Sequence, residues 1–330
     1  MRACIAGTGH YLPGAPISND ELIARHGIGV KPSFVRQFVG AETRHFAAPE
    51  QATSDLAAEA AERAIESSGI PRSAINRIIL ATVSGDYPTP ATACLVQRRL
   101  GLRGTPAMDL VGACSGFLQA LDVGARCVAT GTGPVLVIGA DVRSRQLNFS
   151  DPRTAFLYGD GAGAVVLAEA AGDAGIHHSV LMADGAGAEE VYIPAGGSRE
   201  PLSVEGLAER RNTITMKNGR RVAHAALAGF RQLATDLAMA SGIALDEISC
   251  FCIHQPNLFL VRQVLAELGI AESRCWINFP KYANTTSATV PIAMSEASAA
   301  GRLRAGEWVW LGAVGAGFAG AAHLVKWGTA

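Results

Sequence analysis

Asp109-Leu110-Val111-Gly112-Ala113-Cys114-Ser115-Gly116-Phe117 is a junction. An apolar run ends there, and a helical pattern begins just after the cysteine. A strand turning directly into a helix, with glycines flanking the turn, is the repeating joint of an α/β protein. Two further stretches share the design. Cys252-Ile253-His254-Gln255-Pro256-Asn257 sets a histidine at the end of an apolar run. Tyr282-Ala283-Asn284-Thr285-Thr286-Ser287-Ala288 sets an asparagine in a small polar loop before another helical pattern.

Outward from these joints, short β-branched runs alternate with alanine-rich helical patterns, which predicts buried strands in an α/β architecture. In the first half, helices are expected at 54–69, 91–100 and 115–130, the first capped by Ser54 and stopped by Gly69. Strands are expected at 77–84 and 135–139. The second half repeats the programme, with helices at 221–240, 258–268 and 287–300 and strands at 248–254 and 308–314. Leu100-Gly101 then matches Leu268-Gly269, Cys114 matches Asn284, and Gly139-Ala140 matches Gly312-Ala313, at separations of 168, 170 and 173 positions. This near-constant period predicts a duplication, with halves 1–170 and 171–330 and with Cys114 and Asn284 on equivalent turns. Chance similarity between two α/β halves is the alternative. Residues 186–212 show no clear period and are expected to form a surface excursion.

Composition narrows the function classes. The chain has 330 residues, 49% of them hydrophobic and 17% charged, with a net charge of −1. That excludes disorder and shows no electrostatic footprint for nucleic acid. No apolar run reaches the ~18 residues of a membrane span, and the start of the chain lacks a signal-peptide pattern. Seven cysteines, mostly in apolar runs, suggest free thiols in a reducing cytoplasm. Cys250-Phe251-Cys252 lacks metal-pair spacing, so no metal is expected.

A thiol at a helix start feels the positive end of the helix dipole, which favours thiolate. Position alone leaves Cys114 open between that role and a buried structural cysteine. Gly112 and Gly116 favour the first, since small neighbours let a substrate approach. His254 stands at a strand's carboxyl end, where open α/β sheets bind ligands, although a lone histidine is more often structural. Asn284 can donate to a developing enolate oxygen without titrating, or serve as a turn residue. Gly159-Asp160-Gly161-Ala162-Gly163-Ala164 opens a strand rather than a helix, so it is a turn and not a dinucleotide fingerprint. Gly315-Ala316-Gly317-Phe318 is a similar turn. Its backbone N–H could pair with that of Cys114 as an oxyanion hole.

Together these motifs resemble the β-ketoacyl-acyl-carrier-protein synthase III group of the thiolase superfamily. The resemblance runs from Gly7-Thr8-Gly9-His10-Tyr11-Leu12-Pro13 through the three joints to Gly315-Ala316-Gly317-Phe318. It implies a five-layered αβαβα fold, a homodimer, no bound cofactor, and acyl-CoA or acyl-carrier-protein thioesters as substrates. It also implies a two-step reaction. Cys114 takes an acyl group, and a malonyl thioester loses CO2 and attacks it. His254 and Asn284 would hold the enolate oxygen. The backbone N–H groups of Cys114 and Ala316 would hold the acyl oxyanion.

Several positions depart from the family's housekeeping pattern. Phe34 and Phe38 stand where a Trp and an Arg usually clamp coenzyme A, with Arg36 two positions early. Phe259, Ala266 and Glu267 stand where basic residues usually meet the carrier protein. Pro256, beside Asn257, replaces an alanine. Thr89 replaces a bulky Phe that closes the acyl pocket from the neighbouring subunit. Phe34, Phe38, Thr89, Pro256 and Asn257 are therefore the expected substrate contacts. These departures suggest a specialised condensing enzyme. The alternatives are an acyltransferase that passes the acyl group to an alcohol or amine without decarboxylation, and a catalytically silent partner subunit.

Overall fold

The structure, a computed structural model, describes residues 2–328. Its first sheet holds β1 (Ala3–Tyr11), β2 (Arg77–Ala81), β3 (Ala107–Leu110), β4 (Val135–Asp141) and β5 (Gly161–Glu169), in the order β1-β5-β4-β2-β3. The second holds β6 (Gly175–Ala183), β7 (Ile248–Ile253), β8 (Trp308–Gly315) and β9 (Ala319–Lys326), in the order β6-β9-β8-β7. The two orders superpose. In the first sheet β1, β5 and β4 are antiparallel neighbours and β2 is parallel to β4. In the second, β6, β9 and β8 are antiparallel neighbours and β7 is parallel to β8. The place of β3 is marked by a single parallel bridge from Phe251 to Cys275. The internal period in the sequence thus has a counterpart in strand order and direction.

Helix α1 (Asn19–His26) packs Leu22 with Val35 and Phe279, and six further helices fill three layers. Between the sheets lie α4 (Gly116–Ala129) and α7 (Thr289–Ala299). Their Phe117, Leu121, Val290 and Met294 pack with Val137, Val165, Leu311 and Ala313 in one core. Outside the first sheet, α2 (Thr53–Ser68) and α3 (Thr92–Arg99) cover Ile78, Leu80 and Ile138. Outside the second, α5 (Gly219–Ser241) and α6 (Leu258–Glu267) cover Phe251, Trp310 and Leu324. The result is the five-layered αβαβα arrangement, and the near-continuous apolar strands are those of sheets buried on both faces.

Several expected boundaries shift for local reasons. Helix α2 begins at Thr53 after Ala52, whose N–H is taken by the Asp55 carboxylate at 2.7 Å. Ser54 is therefore not the cap; its hydroxyl donates to Asp86 at 2.7 Å. Strand β2 stops at Ala81, because Thr82, Val83 and Ser84 turn to bond the Asp141 carboxylate. Helices α4 and α7 are each preceded by a short 3₁₀ turn, at Ala113–Ser115 and Thr286–Ala288. The glycine-rich stretch after Asp160 is already strand β5 from Gly161.

Close packing explains Gly7 and Gly9. Strand β1 presses on the alanine face of α2, and a Cβ on Gly9 would lie 2.4 Å from the Ala60 carbonyl oxygen. Gly9→Ala is expected to destabilise the fold by about 1–3 kcal/mol, the usual cost of overpacking. Denaturant unfolding of the variant checks it.

Candidate active site

The three joints meet at one cavity of about 560 Å³. Cys114, His254, Asn284 and Ala316 all line it, as do Phe34, Phe38, Pro256 and Asn257. The backbone is bent hard beside the first and third. Ala113 has φ 45° and Ala283 has φ 54°, so the residues immediately before Cys114 and Asn284 both have positive φ, Ala283 with an extended ψ of −157°. Thr286 follows with φ 52°. Non-glycine residues held there cluster at functional sites. Ala113 and Thr286 each open the 3₁₀ turn that leads into a central helix, 173 positions apart, so the structural counterpart of Cys114 is Ser287. The expected match of Cys114 with Asn284 is thus corrected by three residues.

Cys114 sits in the 3₁₀ turn between β3 and α4. The β8–β9 turn leans on it, and a Cβ on Gly315 would lie 2.8 Å from the Cys114 backbone nitrogen. Backbone N–H groups of Ala316 and of Cys114 itself favour the charged sulfur, as does the Arg143 guanidinium. Burial outweighs them and pushes the thiol up to about 12. Desolvation therefore works against the lowered thiol expected from the helix start. One 3₁₀ turn separates the sulfur from α4, and desolvation dominates.

His254 follows β7, its N–H held by the Gly312 carbonyl at 2.8 Å. It is buried, neither ring nitrogen has a hydrogen-bond partner, and burial pushes the imidazole down to about 3. The resting pair is thus a neutral thiol and a neutral imidazole. Neither group titrates where an ordinary histidine does, between about pH 5 and 8. His254 stays neutral as pH falls through that window, and Cys114 stays protonated as pH rises through it. Self-acylation rates followed by mass across the window are expected to be flat; a limb near the ordinary histidine value would contradict this.

Asn284 is pinned at its backbone. Its N–H donates to Leu157 O at 2.8 Å, and its carbonyl accepts from Gly159 N at 3.1 Å. Its Oδ1 accepts the Thr286 N–H at 2.8 Å, which leaves the Nδ2 end of the amide as the available donor. Gln255 ties the histidine turn to the asparagine loop: its Nε2 donates to Trp276 O, and its Oε1 accepts from Asn278 and Phe279 N–H. Asp141, bonded by Ser287 at 2.6 Å, ties that loop to β2 and β4.

The expected substrate contacts divide. Phe34 and Phe38 pack with tilted rings, centres 4.6 Å apart, and remain exposed, marking the mouth. Pro256 lines the wall. Asn257 also caps α6, its Oδ1 accepting the Leu260 N–H at 2.8 Å. Thr89 is exposed on a loop and does not line this chain's own cavity. Sequence reasoning missed Arg143, Arg153, Tyr158 and the wall formed by Val191, Ile193, Ile214 and Met216. Residues 186–212, expected to be only a surface excursion, carry part of that wall. A usable signal existed for Arg143, which stands two residues beyond the carboxyl end of β4.

Comparison with known proteins agrees with this architecture. The profile of the 3-oxoacyl-[acyl-carrier-protein] synthase III family matches residues 108–188, and its C-terminal profile matches residues 238–327. The chain is 38% identical to a β-ketoacyl-[acyl-carrier-protein] synthase III of Rhodopirellula baltica, covering 98% of each chain. It is 38% identical to a 3-oxopimeloyl-[acyl-carrier-protein] synthase of Rhodothermus marinus, covering 99% of this chain and 94% of that one. The crystal structure of the synthase III from Thermus thermophilus superposes with a TM-score of 0.89 at 32% identity, covering 99% and 100%. The chain therefore belongs to the 3-oxoacyl-[acyl-carrier-protein] synthase III family of the thiolase superfamily, and is an acyl-transferring condensing enzyme.

Proposed function

We propose that Cys114 is the acyl carrier and that His254 and Asn284 serve the condensation. The observation that carries this is the convergence on one cavity of a thiol, an imidazole with two unpartnered nitrogens and a free amide end. His254 accepts the thiol proton as sulfur attacks the donor thioester. The acyl–sulfur bond to Cys114 forms, the donor's breaks, and the leaving thiolate takes the proton. N–H groups of Cys114 and Ala316 hold the oxyanion. A malonyl thioester then loses CO2, and its electrons enter an enolate held by His254 and Asn284. The enolate carbon bonds to the acyl carbon and expels the Cys114 thiolate, which is reprotonated. The product is a 3-oxoacyl thioester.

The acyl group is where the relatives differ. The Rhodothermus marinus protein is named for 3-oxopimeloyl, a chain that ends in a second carboxyl group. Donors here are acyl-CoA or acyl-carrier-protein thioesters. Met108 and Val111 at the unpaired edge β3, with Tyr87 on the Thr89 loop, are exposed apolar side chains. They support a homodimer joined at that edge, with Thr89 facing the neighbour's cavity. All seven cysteines are free, which fits a reducing cytoplasm. No helix among the described residues is long and apolar enough to cross a membrane.

Incubation with an acyl-CoA and malonyl-carrier protein, followed by product analysis, tests the proposal. A 3-oxoacyl thioester with one CO2 per product is expected. Arg36, outside the cavity lining, should matter little: Arg36→Ala is expected to leave the donor KM nearly unchanged, and added salt to shift it only slightly. A steep salt dependence measured in steady-state assays would contradict this.

A further inference from the structure

Arg143 is out of place in its surroundings. It lines the cavity with Cys114, yet it is only 7% exposed. The walls around it include Val83, Leu157, Val191, Ile193, Ile214 and Met216, which suit a methylene chain. Its Nη1 donates to Gln146 Oε1, and its guanidinium lies 5.4 Å from the Tyr158 ring centre, close to that hydroxyl. Its Nε is buried with no partner. Among the described residues no carboxylate forms an ion pair with it.

The two buried carboxylates nearest in sequence are already used. Asp141 accepts from Thr82, Val83, Ser84 and Ser287. Asp160 accepts from Ala47 and Ser144. Arg44 is also buried, with an unpartnered Nε and no carboxylate among the described residues. Its guanidinium, however, has three acceptors, Asn19 Oδ1 and the Ile17 and Phe156 carbonyls, where Arg143 has Gln146 Oε1 and the Tyr158 hydroxyl beside it. Arg153, the other arginine on the lining, is exposed and paired with Asp151. A buried cation without a counterion is costly, and an entering carboxylate removes that cost through two parallel hydrogen bonds.

Resting on the acyl-cysteine reading above, we propose that Arg143 receives a carboxylate at the far end of the acyl chain. The preferred donor is then the mono-thioester of a dicarboxylic acid. The extender's carboxylate is a poorer occupant. It must leave as CO2, and a guanidinium gripping it would stabilise the ground state against the transition state. A neutral acyl tail would leave the cation buried and unpaired.

Intact-mass acylation rates test this with length-matched pairs: succinyl- and butyryl-CoA, glutaryl- and valeryl-CoA, adipyl- and hexanoyl-CoA. The native protein is expected to load one or more of the diacid donors faster than its neutral partner. Arg143→Leu should lose about 10²-fold more on that donor than on its neutral partner, the scale of charge-assisted hydrogen bonds. Arg143→Lys should retain part of the preference. Native protein that loads neutral donors as fast as every diacid overturns the proposal, whether or not any variant folds. So does an equal slowing of all donors in Arg143→Leu, which would assign Arg143 to the thiol. Loss of malonyl decarboxylation alone would assign it to the extender and also overturn the proposal. If no donor at all acylates Cys114, the acyl-cysteine reading itself has failed.

Discussion

The Cys114→Ala protein is expected to take up no acyl group from any thioester that labels the native chain. Cys114 lines the cavity beside the one imidazole on its wall. The other cysteines lie elsewhere. Cys252 is fully buried in the inter-sheet core, and Cys127 packs at its edge beside Arg77. Cys127→Ala and Cys252→Ala should therefore acylate like the native protein. Cys94 is exposed, so alkylation with iodoacetamide must be read by peptide mapping rather than by total mass. Removing a nucleophile eliminates the covalent path, and the effect is all or none. One acyl mass on a side chain of Cys114→Ala would show that the nucleophile is another residue.

The second large effect separates the half-reactions. Asn284 is assigned to the enolate alone, through the Nδ2 end left free when Oδ1 accepts the Thr286 N–H. Asn284→Ala is expected to lower malonyl decarboxylation by about 10²–10³, the usual cost of one oxyanion donor. Its self-acylation should change little. In the proposed mechanism His254 has two duties. Sequence alone assigns it to the enolate, but a thiol pushed up to about 12 also requires a proton acceptor. His254→Ala is thus expected to lose both half-reactions. Acylation followed by mass and CO2 release followed by isotope measure the two separately. Equal loss of both in Asn284→Ala, with the fold intact, would place the amide on the acylation path.

Legibility in the sequence followed the physics of each element. The layers could be read because strands buried on both faces are continuously apolar and helices end at glycines such as Gly69 and Gly269. The internal period was visible because matching joints such as Gly139-Ala140 and Gly312-Ala313 recur at near-constant spacing, and the strand orders of the two sheets match it. Cys114, His254 and Asn284 were legible because each ends a recognisable joint. The state of Cys114 was not. Whether a helix start lowers a thiol depends on how far the sulfur is desolvated, and that depends on tertiary packing, such as the close approach of Gly315 from about two hundred residues away. Arg143 was missed for a similar reason. A guanidinium in a run of polar residues looks solvated until tertiary packing closes Tyr158 and Ile214 around it.

The most direct test of the acyl-cysteine account is a chase. The protein is first loaded with an acyl group, freed of donor, and mixed with a malonyl thioester. The account predicts that the acyl mass leaves Cys114 in step with CO2 release and with the appearance of one 3-oxoacyl thioester per site. Acyl mass that persists on Cys114 with malonyl thioester, and departs only when an alcohol or amine is supplied, would contradict it.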